Sequence, residues 1–182
     1  MQLSANRFAK AIARDSRGVA AVEFALLLPI LALLYFGIVE LTQGLMTQQR
    51  AQHVAATVGD LVSQSSSITS ADVTDVFNVG DTVMYPYPTT SLKMRVSSLT
   101  ADVHGAVTVV WSQAQGMSAR SKGSSVSGLP ANVIAPGESI VMSESQYTYT
   151  SVFGQIMPTP VVFNEKAYLH PRLSTAVACA DC

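Results

Sequence analysis

The stretch VAAVEFALLLPILALLYFGIVE, from Val19 to Glu40, decides how this chain folds. Its only charged residues are Glu23 and the terminal Glu40, so Val19–Val39 is an almost continuous apolar run. A helix of about 21 residues, at 1.5 Å per residue, crosses a hydrocarbon core of about 30 Å. A cleavable secretory signal has a shorter apolar region followed by a small-residue cleavage site, and no convincing site follows here. We therefore expect a retained transmembrane helix over residues 19–40.

The distribution of charge predicts the orientation of this helix. Residues 1–18 carry four basic side chains against one acidic side chain, whereas the rest of the chain is acidic and the net charge is −1. By the positive-inside rule the basic head stays in the cytoplasm and everything after Glu40 is exported. Only 13% of the residues are charged, which fits a membrane-anchored or exported protein. The exported part has no basic patch, so we expect no nucleic-acid partner.

An amphipathic pattern continues the helix beyond the apolar run. Apolar residues recur at three- and four-residue steps from Ala51 to Val62, with glutamines between them. This pattern predicts that residues 41–64 extend the first helix, with one face packed on a domain. The whole helix then runs from near Val19 to about Ser63, with a possible kink at Pro29. Two helices broken near Gly44 are the alternative.

Residues 65–182 predict a separate exported α+β domain. A polar break precedes a capping box at Thr69–Asp72 and a short helix that ends near Gly80. The strand candidates are Leu92–Val103 with a β-bulge near Ser97–Ser98, Ala106–Gln113 with Val107, Val109 and Trp111 on one face, Ser139–Phe153, and Ala167–Leu169. Ser121–Gly137 reads as a loop. We expect an α+β fold in which the long helix packs on a small antiparallel sheet of about four strands.

Two cysteines, Cys179 and Cys182, lie in the motif CADC at the C-terminus. In an oxidising compartment such a pair usually forms a disulfide. A thioredoxin-type redox pair should open a helix inside a βαβ unit, and a zinc site needs two further ligands. The nearest histidine, His170, has no obvious companion. We favour a Cys179–Cys182 disulfide and no metal, and the redox pair and the half zinc site are the alternatives.

Glu23 lies five residues into the apolar run, where a charge is costly. Ionisable residues in membrane spans usually serve a function and have a partner. The alternative is that Glu23 lies near the interface and extends its carboxylate to water. The preceding residues favour a function, because basic residues and Gly18 are followed by four small or apolar residues and then by Glu23.

This arrangement resembles the class III signal of type IV pilins. The resemblance implies that residues 1–18 form a cytoplasmic leader peptide, which a prepilin peptidase removes after Gly18. Val19 then becomes the new N-terminus and Glu23 becomes the fifth residue of the mature chain. In that family the glutamate is thought to pair with the α-amino group of a neighbouring subunit, which here belongs to Val19. An unpaired carboxylate in a low-dielectric bundle is strongly penalised, so the pairing is physically reasonable.

The stretch from Arg17 to Leu41 is more specifically similar to TadE-like pseudopilins of the tight-adherence (Tad, or Flp) pilus system. The shared features are Gly-x-x-x-x-Glu-Phe, Pro29 six residues after Glu23, and the later Gly-Ile-Val-Glu. The stretches VVWSQ, SESQYTYTSVFG and AYLHPRLSTAVACADC also resemble TadE-like sequences, more loosely. Phe24 and the long exported region favour a minor pseudopilin over the major subunit. The resemblance implies a pilin-like fold, an inner-membrane location with the exported domain in the periplasm, incorporation into the pilus or a role in priming it, and other pilins and pseudopilins as partners.

No pattern in the chain predicts an enzyme or a cofactor. The sequence has no nucleophile elbow, no H-E-x-x-H and no phosphate loop. Glu144 is explained as well by a solvated strand face as by a general base, and Tyr147 and Tyr149 by sheet packing. The competing hypotheses are therefore a processed pseudopilin, an unprocessed single-pass membrane-anchored binding or sensor module outside the cytoplasm, and a membrane-tethered thiol oxidoreductase.

Overall fold

The computed structural model describes residues 18–151, 154 and 157–182. The leader peptide predicted for residues 1–18 lies outside these residues except for Gly18, as does Phe153 at the end of a predicted strand. The elements are α1 (Val19–Ser63), β1 (Ser67–Ile68), α2 (Ser70–Met84), a 3₁₀ turn (Thr89–Ser91), β2 (Leu92–Ala101), β3 (Val107–Gln115), β4 (Ser139–Tyr149), β5 (Val161–Leu169) and β6 (Ala178–Cys179). This is the predicted α+β class, a long N-terminal helix packed on a small antiparallel sheet.

Helix α1 is one continuous helix of 45 residues, so it is about 68 Å long. It passes through Pro29 and Gly44 without a break, and the alternative of two helices is therefore wrong. Only its second half, from Gly37 to Ser63, packs on the domain. Most of its buried residues recur at steps of three or four, as one helix face requires: Gly37, Glu40, Gly44, Thr47, Ala51, Val54, Val58 and Val62. Ala55, Gly59 and Ser63, each next to one of these, are buried as well.

The main sheet has the order β3-β2-β4-β5, and every neighbouring pair is antiparallel. Helices α1 and α2 cover one face of it. The loop that contains Val126, Leu129 and Ile134 covers part of the other face. The sheet thus has two apolar faces, and each strand divides its side chains between them.

This division explains the change of apolar phase in β2. Leu92, Met94 and Val96 pack under the helices, whereas Leu99 and Ala101 pack under the loop. The pairing of β2 with β4 runs without a shift through this region, so β2 contains no extra residue.

The predicted β-bulge exists at this level, but the extra residue lies on β3. Ser98 pairs with Trp111 and Leu99 pairs with Val109, which leaves Val110 unpaired in the β2–β3 ladder. A bulge shifts the alternation of the strand, so Trp111 joins the helix side while Val109 stays on the loop side. The prediction that Val107, Val109 and Trp111 share one face is wrong for this reason.

Two glycines allow the helices to approach their neighbours closely. A Cβ on Gly59 would lie 2.5 Å from Leu169 Cδ1 and 3.1 Å from Ser143 Cβ. A Cβ on Gly80 would lie 2.5 Å from the sulfur of Met94. Helix α2 therefore continues past Gly80 to Met84, one turn beyond its predicted end, because this glycine is a packing position.

The predicted capping box at the start of α2 is confirmed. The Thr69 hydroxyl accepts a hydrogen bond from the Asp72 backbone N–H, and the Asp72 carboxylate accepts one from the Thr69 N–H. Aspartate thus performs here the role that glutamate or glutamine usually has in this motif.

Glu144 is buried in a cluster of cations, and its assignment to a solvated strand face is wrong. Its carboxylate lies 2.6 Å from Arg95 Nε, 3.0 Å from Arg120 Nη2 and 3.8 Å from Lys166 Nζ. Arg95 and Lys166 are its partners on the two adjacent strands. Burial acts to raise the pKa of Glu144, but the hydrogen bonds and charges of Arg95 and Arg120 outweigh it and lower this pKa below its ordinary value.

Replacing Glu144 by Gln should destabilise the domain by about 2 kcal/mol at pH 7, because two arginines lose their charged partner. A carboxyl group whose pKa is lowered by folding stabilises the protein above its unfolded pKa, and this stability is lost as pH falls through the folded pKa. The difference between wild type and Glu144→Gln should therefore shrink between pH 7 and pH 3. Denaturant unfolding of the full chain in detergent, followed by the fluorescence of the single tryptophan Trp111, measures it.

Asp75→Asn is the matched control, because it neutralises an exposed carboxylate on α2. It should change the stability by less than about 0.5 kcal/mol. An equal loss in both variants, or a loss in Glu144→Gln that persists at pH 3, would contradict the role of the ion pairs.

Candidate functional site: the exposed half of the N-terminal helix

The first half of α1, residues 19–36, exposes an apolar surface that the domain does not cover. Large apolar side chains such as Val22, Leu26 and Ile30 are 61%, 67% and 62% exposed. In the described part of the chain, α1 is the one helix long and apolar enough to cross a membrane. A core helix of a soluble protein would bury these side chains, so this half requires an apolar environment from outside the domain.

Gly18 and Val19 lie at the beginning of this exposed half. Gly18 has φ −84°, which any residue adopts, and no described atom lies within 4 Å of the position of a Cβ. Neither the backbone nor the packing of the described chain therefore requires glycine here. A requirement for glycine would have to come from another molecule that contacts this position.

Glu23 is exposed on the first turns of α1, about 7.5 Å along the helix axis from Gly18. Among the described residues, no side chain forms an ion pair or a hydrogen bond with its carboxylate. The described chain therefore brings Gly18, Val19 and Glu23 together on one helix end, and it supplies no counter-charge for the carboxylate. That leaves water at the interface, the residues before Gly18 or another molecule as the partner.

Glu40, at the other end of the apolar run, has a different environment. It is 2% exposed, and its Oε2 accepts a hydrogen bond of 3.2 Å from the Met157 N–H. The Met157 side chain also packs beside Gly44 on the next turn of α1. Burial and then the negative charge of Glu40 raise the pKa of the neighbouring Tyr149. The domain thus encloses this carboxylate at the level where the predicted span ends.

The sequence analysis assigned no role to Glu40. The signal was the spacing of Gly37, Glu40 and Gly44, which places all three on the face that packs on the domain. An apolar run alone does not distinguish a face that contacts lipid from one that contacts protein.

Cys179 and Cys182 form a disulfide, with their Cα atoms 5.6 Å apart. The ring they close contains Asp181, whose carboxylate accepts two hydrogen bonds of 2.8 Å from the backbone N–H and the hydroxyl of Ser70. These bonds, the hydroxyl first, lower the pKa of Asp181. Ser70 is the first residue of α2, so the ring provides an acceptor for the beginning of that helix.

The C-terminal segment is also fixed along its length. β6 pairs with β1 in parallel, the Trp111 ring N–H donates to the Val177 carbonyl, and Arg172 forms an ion pair with Asp60 on α1. Neither cysteine opens a helix, and in the described chain no histidine joins them and Asp181 in a metal-ligand cluster. This geometry favours the disulfide over the redox pair and the zinc site.

The histidines do not assemble a catalytic group in the described residues. His53 lies on α1, His104 in the β2–β3 turn and His170 after β5. His170 lines a surface depression with Ser139 and Ser174, but these hydroxyls donate to Thr100 and to the Ala176 carbonyl. Tyr147 and Tyr149 are buried in the core on the helix side, which confirms that they serve packing.

Comparison with known proteins finds a family match for the part of the chain that contains the exposed half of α1. Residues 18–60 match the family model described as TadE-like protein. The match begins at Gly18, includes Glu23 and Glu40, and ends in the half of α1 that packs on the domain. No curated protein and no solved structure matches the chain. The TadE-like resemblance predicted from the sequence is thereby confirmed, and α1 is the part of the chain that carries it.

Proposed function

We propose that this protein is a minor pseudopilin that takes part in the assembly of a tight-adherence (Tad/Flp) pilus. The supporting observation is that the TadE-like match coincides with a helix whose first half the domain leaves exposed. An exposed apolar helix on a folded domain can lie in the membrane as an anchor and can later pack against equivalent helices. This role is structural and involves no catalysis.

In this proposal residues 19–40 cross the bacterial inner membrane. Residues 1–18 are a cytoplasmic leader that a prepilin peptidase removes, and the domain of residues 65–182 lies in the periplasm. The four basic residues before Val19 support this orientation. The other partners are pilins and pseudopilins of the same apparatus.

Processing should occur after Gly18. A peptidase must bring its catalytic groups to the peptide bond, and the absence of a side chain at Gly18 leaves room for them. The described fold gives no competing reason for this glycine, since a Cβ there would meet open space.

We predict a mature chain that begins at Val19, and loss of cleavage in Gly18→Leu with the fold unchanged. Mass spectrometry of the N-terminus, in cells with and without an active prepilin peptidase, measures it. Ala21→Leu is the control, because it adds the same bulk on the exposed helix surface three residues later and should still be cut. Full-length protein in cells with active peptidase would favour the membrane-anchored binding or sensor module.

Glu23 should pair with the α-amino group that cleavage creates on Val19 of a neighbouring subunit. Its carboxylate has no partner among the described residues, and in a bundle of apolar helices water would be excluded from it. A cationic amine is the counter-charge that neighbouring processed subunits would supply. Charge pairing of this kind fixes the axial register of two helices as well as their attraction.

We predict that Glu23→Gln is inserted and cleaved normally but fails to support pilus assembly. Removing one partner of a buried ion pair costs about 3–5 kcal/mol, which lowers association about a hundredfold to a few thousandfold. Pilus counts and crosslinking to other pilin-like subunits measure the effect. Glu23→Asp keeps the charge and should retain part of the activity, and Asp75→Asn should be normal. Normal pili in cleaved Glu23→Gln would show that the carboxylate only reaches to the interface.

The Cys179–Cys182 disulfide should hold the C-terminal segment on the domain after export. We predict that unreduced native protein resists thiol labelling, and that replacing both cysteines by serine costs about 2 kcal/mol, as expected for so short a loop. Asp181→Asn keeps the disulfide but weakens the contact with Ser70, so it should cost less. Full labelling of both thiols in native protein would mean that the pair is free and would favour the redox or metal interpretation.

A further inference from the structure

The end of the domain that contacts Gly37, Glu40 and Gly44 lies close enough to the apolar run to touch a bilayer. Contacts between α1 and the domain begin at Gly37, about 27 Å along the helix from Val19, whereas the hydrocarbon core is about 30 Å thick. A bilayer with its headgroups is about 40–45 Å thick, so each headgroup layer adds about 5–8 Å to the core. With Val19 at the cytoplasmic edge of the core, the periplasmic headgroup layer ends about 35–38 Å from Val19, near Gly44. The stretch from Gly37 to Gly44 therefore lies at the level of the headgroups, together with the parts of the domain that it contacts. Arg50, about 46 Å from Val19, lies about 10 Å beyond this layer, with a side chain that tilts back towards the helix N-terminus.

The exposed face of α1 supports this position. Beyond Glu40, Leu41, Leu45 and Met46 are 57%, 53% and 52% exposed, so the apolar surface continues past the end of the predicted span. The exposed residues of the next turn are the polar Gln48, Gln49 and Arg50. Thr42 and Gln43 are also exposed, so the surface is mixed from Leu41 to Met46 and wholly polar on the next turn. This change occurs within about one helix turn of the headgroup layer.

A groove opens on α1 at this change. We call it the headgroup groove; it has a volume of about 500 Å³ and is lined by Gln43, Met46, Gln49, Arg50, His53, Pro86 and Tyr87. None of these described lining residues carries a carboxylate. Arg50 donates one hydrogen bond from Nη1 to the Val83 carbonyl at the end of α2, and no described residue accepts from the other N–H groups of this guanidinium, which can therefore bind a ligand. Tyr85, beside the groove, is 75% exposed.

We propose that the headgroup groove binds a phospholipid of the periplasmic leaflet, with Arg50 on the phosphate and Met46 beside the upper part of an acyl chain. An arginine fork matches the oxygens of a phosphate, and its long stem reaches towards a membrane surface. Tyrosine is enriched at this depth of a bilayer, which accounts for the exposed Tyr85. The groove is continuous with the surface that faces the lipid tails, and this continuity favours a lipid over a soluble ligand.

This inference rests on the part of the proposed function in which α1 crosses the membrane. Extraction of membranes with alkaline carbonate tests that part separately. Release of the protein would contradict the transmembrane helix and with it the proposed function. Retention of the protein combined with a failure of the experiments below would contradict the headgroup groove alone.

The first experiment locates the end of the domain relative to the bilayer. Tyr85→Trp and, as the control, Val103→Trp are made in the full chain and reconstituted in phosphatidylcholine–phosphatidylglycerol vesicles with brominated acyl chains. Val103 is 79% exposed in the β2–β3 turn, which lies at the end of the sheet away from Tyr149 and Gly44. The native Trp111 is buried, and its signal is subtracted with the wild type.

We expect brominated lipid to reduce the emission of the tryptophan at position 85 about twofold and to leave that at position 103 unchanged, since only the former lies at the interface. Aqueous iodide should quench the tryptophan at position 103 more strongly than the tryptophan at position 85. Quenching of both positions by iodide alone would overturn the proposal. Shielding of position 85 from both quenchers would also overturn it, because a protein would then cover this surface.

The second experiment tests the contact of Arg50 with phosphate. Native mass spectrometry of the full chain, released from phosphatidylglycerol nanodiscs, should show a retained phospholipid. Occupancy should fall about tenfold in Arg50→Gln, which is the size of one charged hydrogen bond, and largely persist in Arg50→Lys. Gln52→Ala is the control, because Gln52 is exposed on the same helix and is not among the described residues that line the groove. The emission of Trp111 reports whether each variant is folded. Equal occupancy in folded Arg50→Gln and wild type would overturn the role of Arg50.

Discussion

One helix must satisfy two environments, and the rest of the structure depends on how it does so. Helix α1 is continuous over 45 residues, so its two halves share one axis and cannot adjust to their surroundings independently. The first half exposes apolar side chains all round, as a segment in contact with lipid requires. The second half buries only one face, formed largely by Gly, Ala, Val and Thr. The domain is therefore attached to the apolar half of α1 by a rigid element, and in a membrane the depth of one would determine the depth of the other.

Small residues make this attachment close. Gly59 allows α1 to contact Leu169 and Ser143, and the Ser145 hydroxyl donates to the Ala51 carbonyl at 2.7 Å. Gly80 allows α2 to approach Met94 in the same core. Larger side chains at these positions would move the helices off the sheet and expose the apolar side chains between them. The packing thus favours a single arrangement of helix and sheet, which a subunit transferred from lipid into an assembly would need to keep.

Local signals predicted much of this architecture. The length of α1, the capping box of α2 and the helix-plus-sheet class followed from short-range patterns, because each depends on residues a few positions apart. The β-bulge was predicted at the right level of the sheet but on β2 instead of β3. The assignments that failed depend on distant residues. Glu144 was assigned to a solvated strand face because the sequence does not show that Arg120 contacts it from a distant loop. The sequence likewise does not show that Val126 and Leu129 cover the second face of the sheet. The predicted last strand that includes Ala167–Leu169 is confirmed as the end of β5, which begins at Val161 because pairing with β4 extends it beyond its own propensity.

Three carboxylates, on Glu144, Glu40 and Glu23, differ in whether the described fold supplies a partner for them. Glu144 is enclosed by Arg95, Arg120 and Lys166, and Glu40 is enclosed by the domain and accepts a backbone N–H. Both are therefore accounted for within the fold. Glu23 is on the exposed half of α1, within the stretch that matches the TadE-like family model, and its carboxylate has no partner in the described chain. In lipid or in a bundle of apolar helices such a group is costly, so its retention requires a compensating contact. The described fold does not supply that contact, so it has to come from water at the interface, from the residues before Gly18 or from another molecule, such as the neighbouring subunit of the proposed assembly.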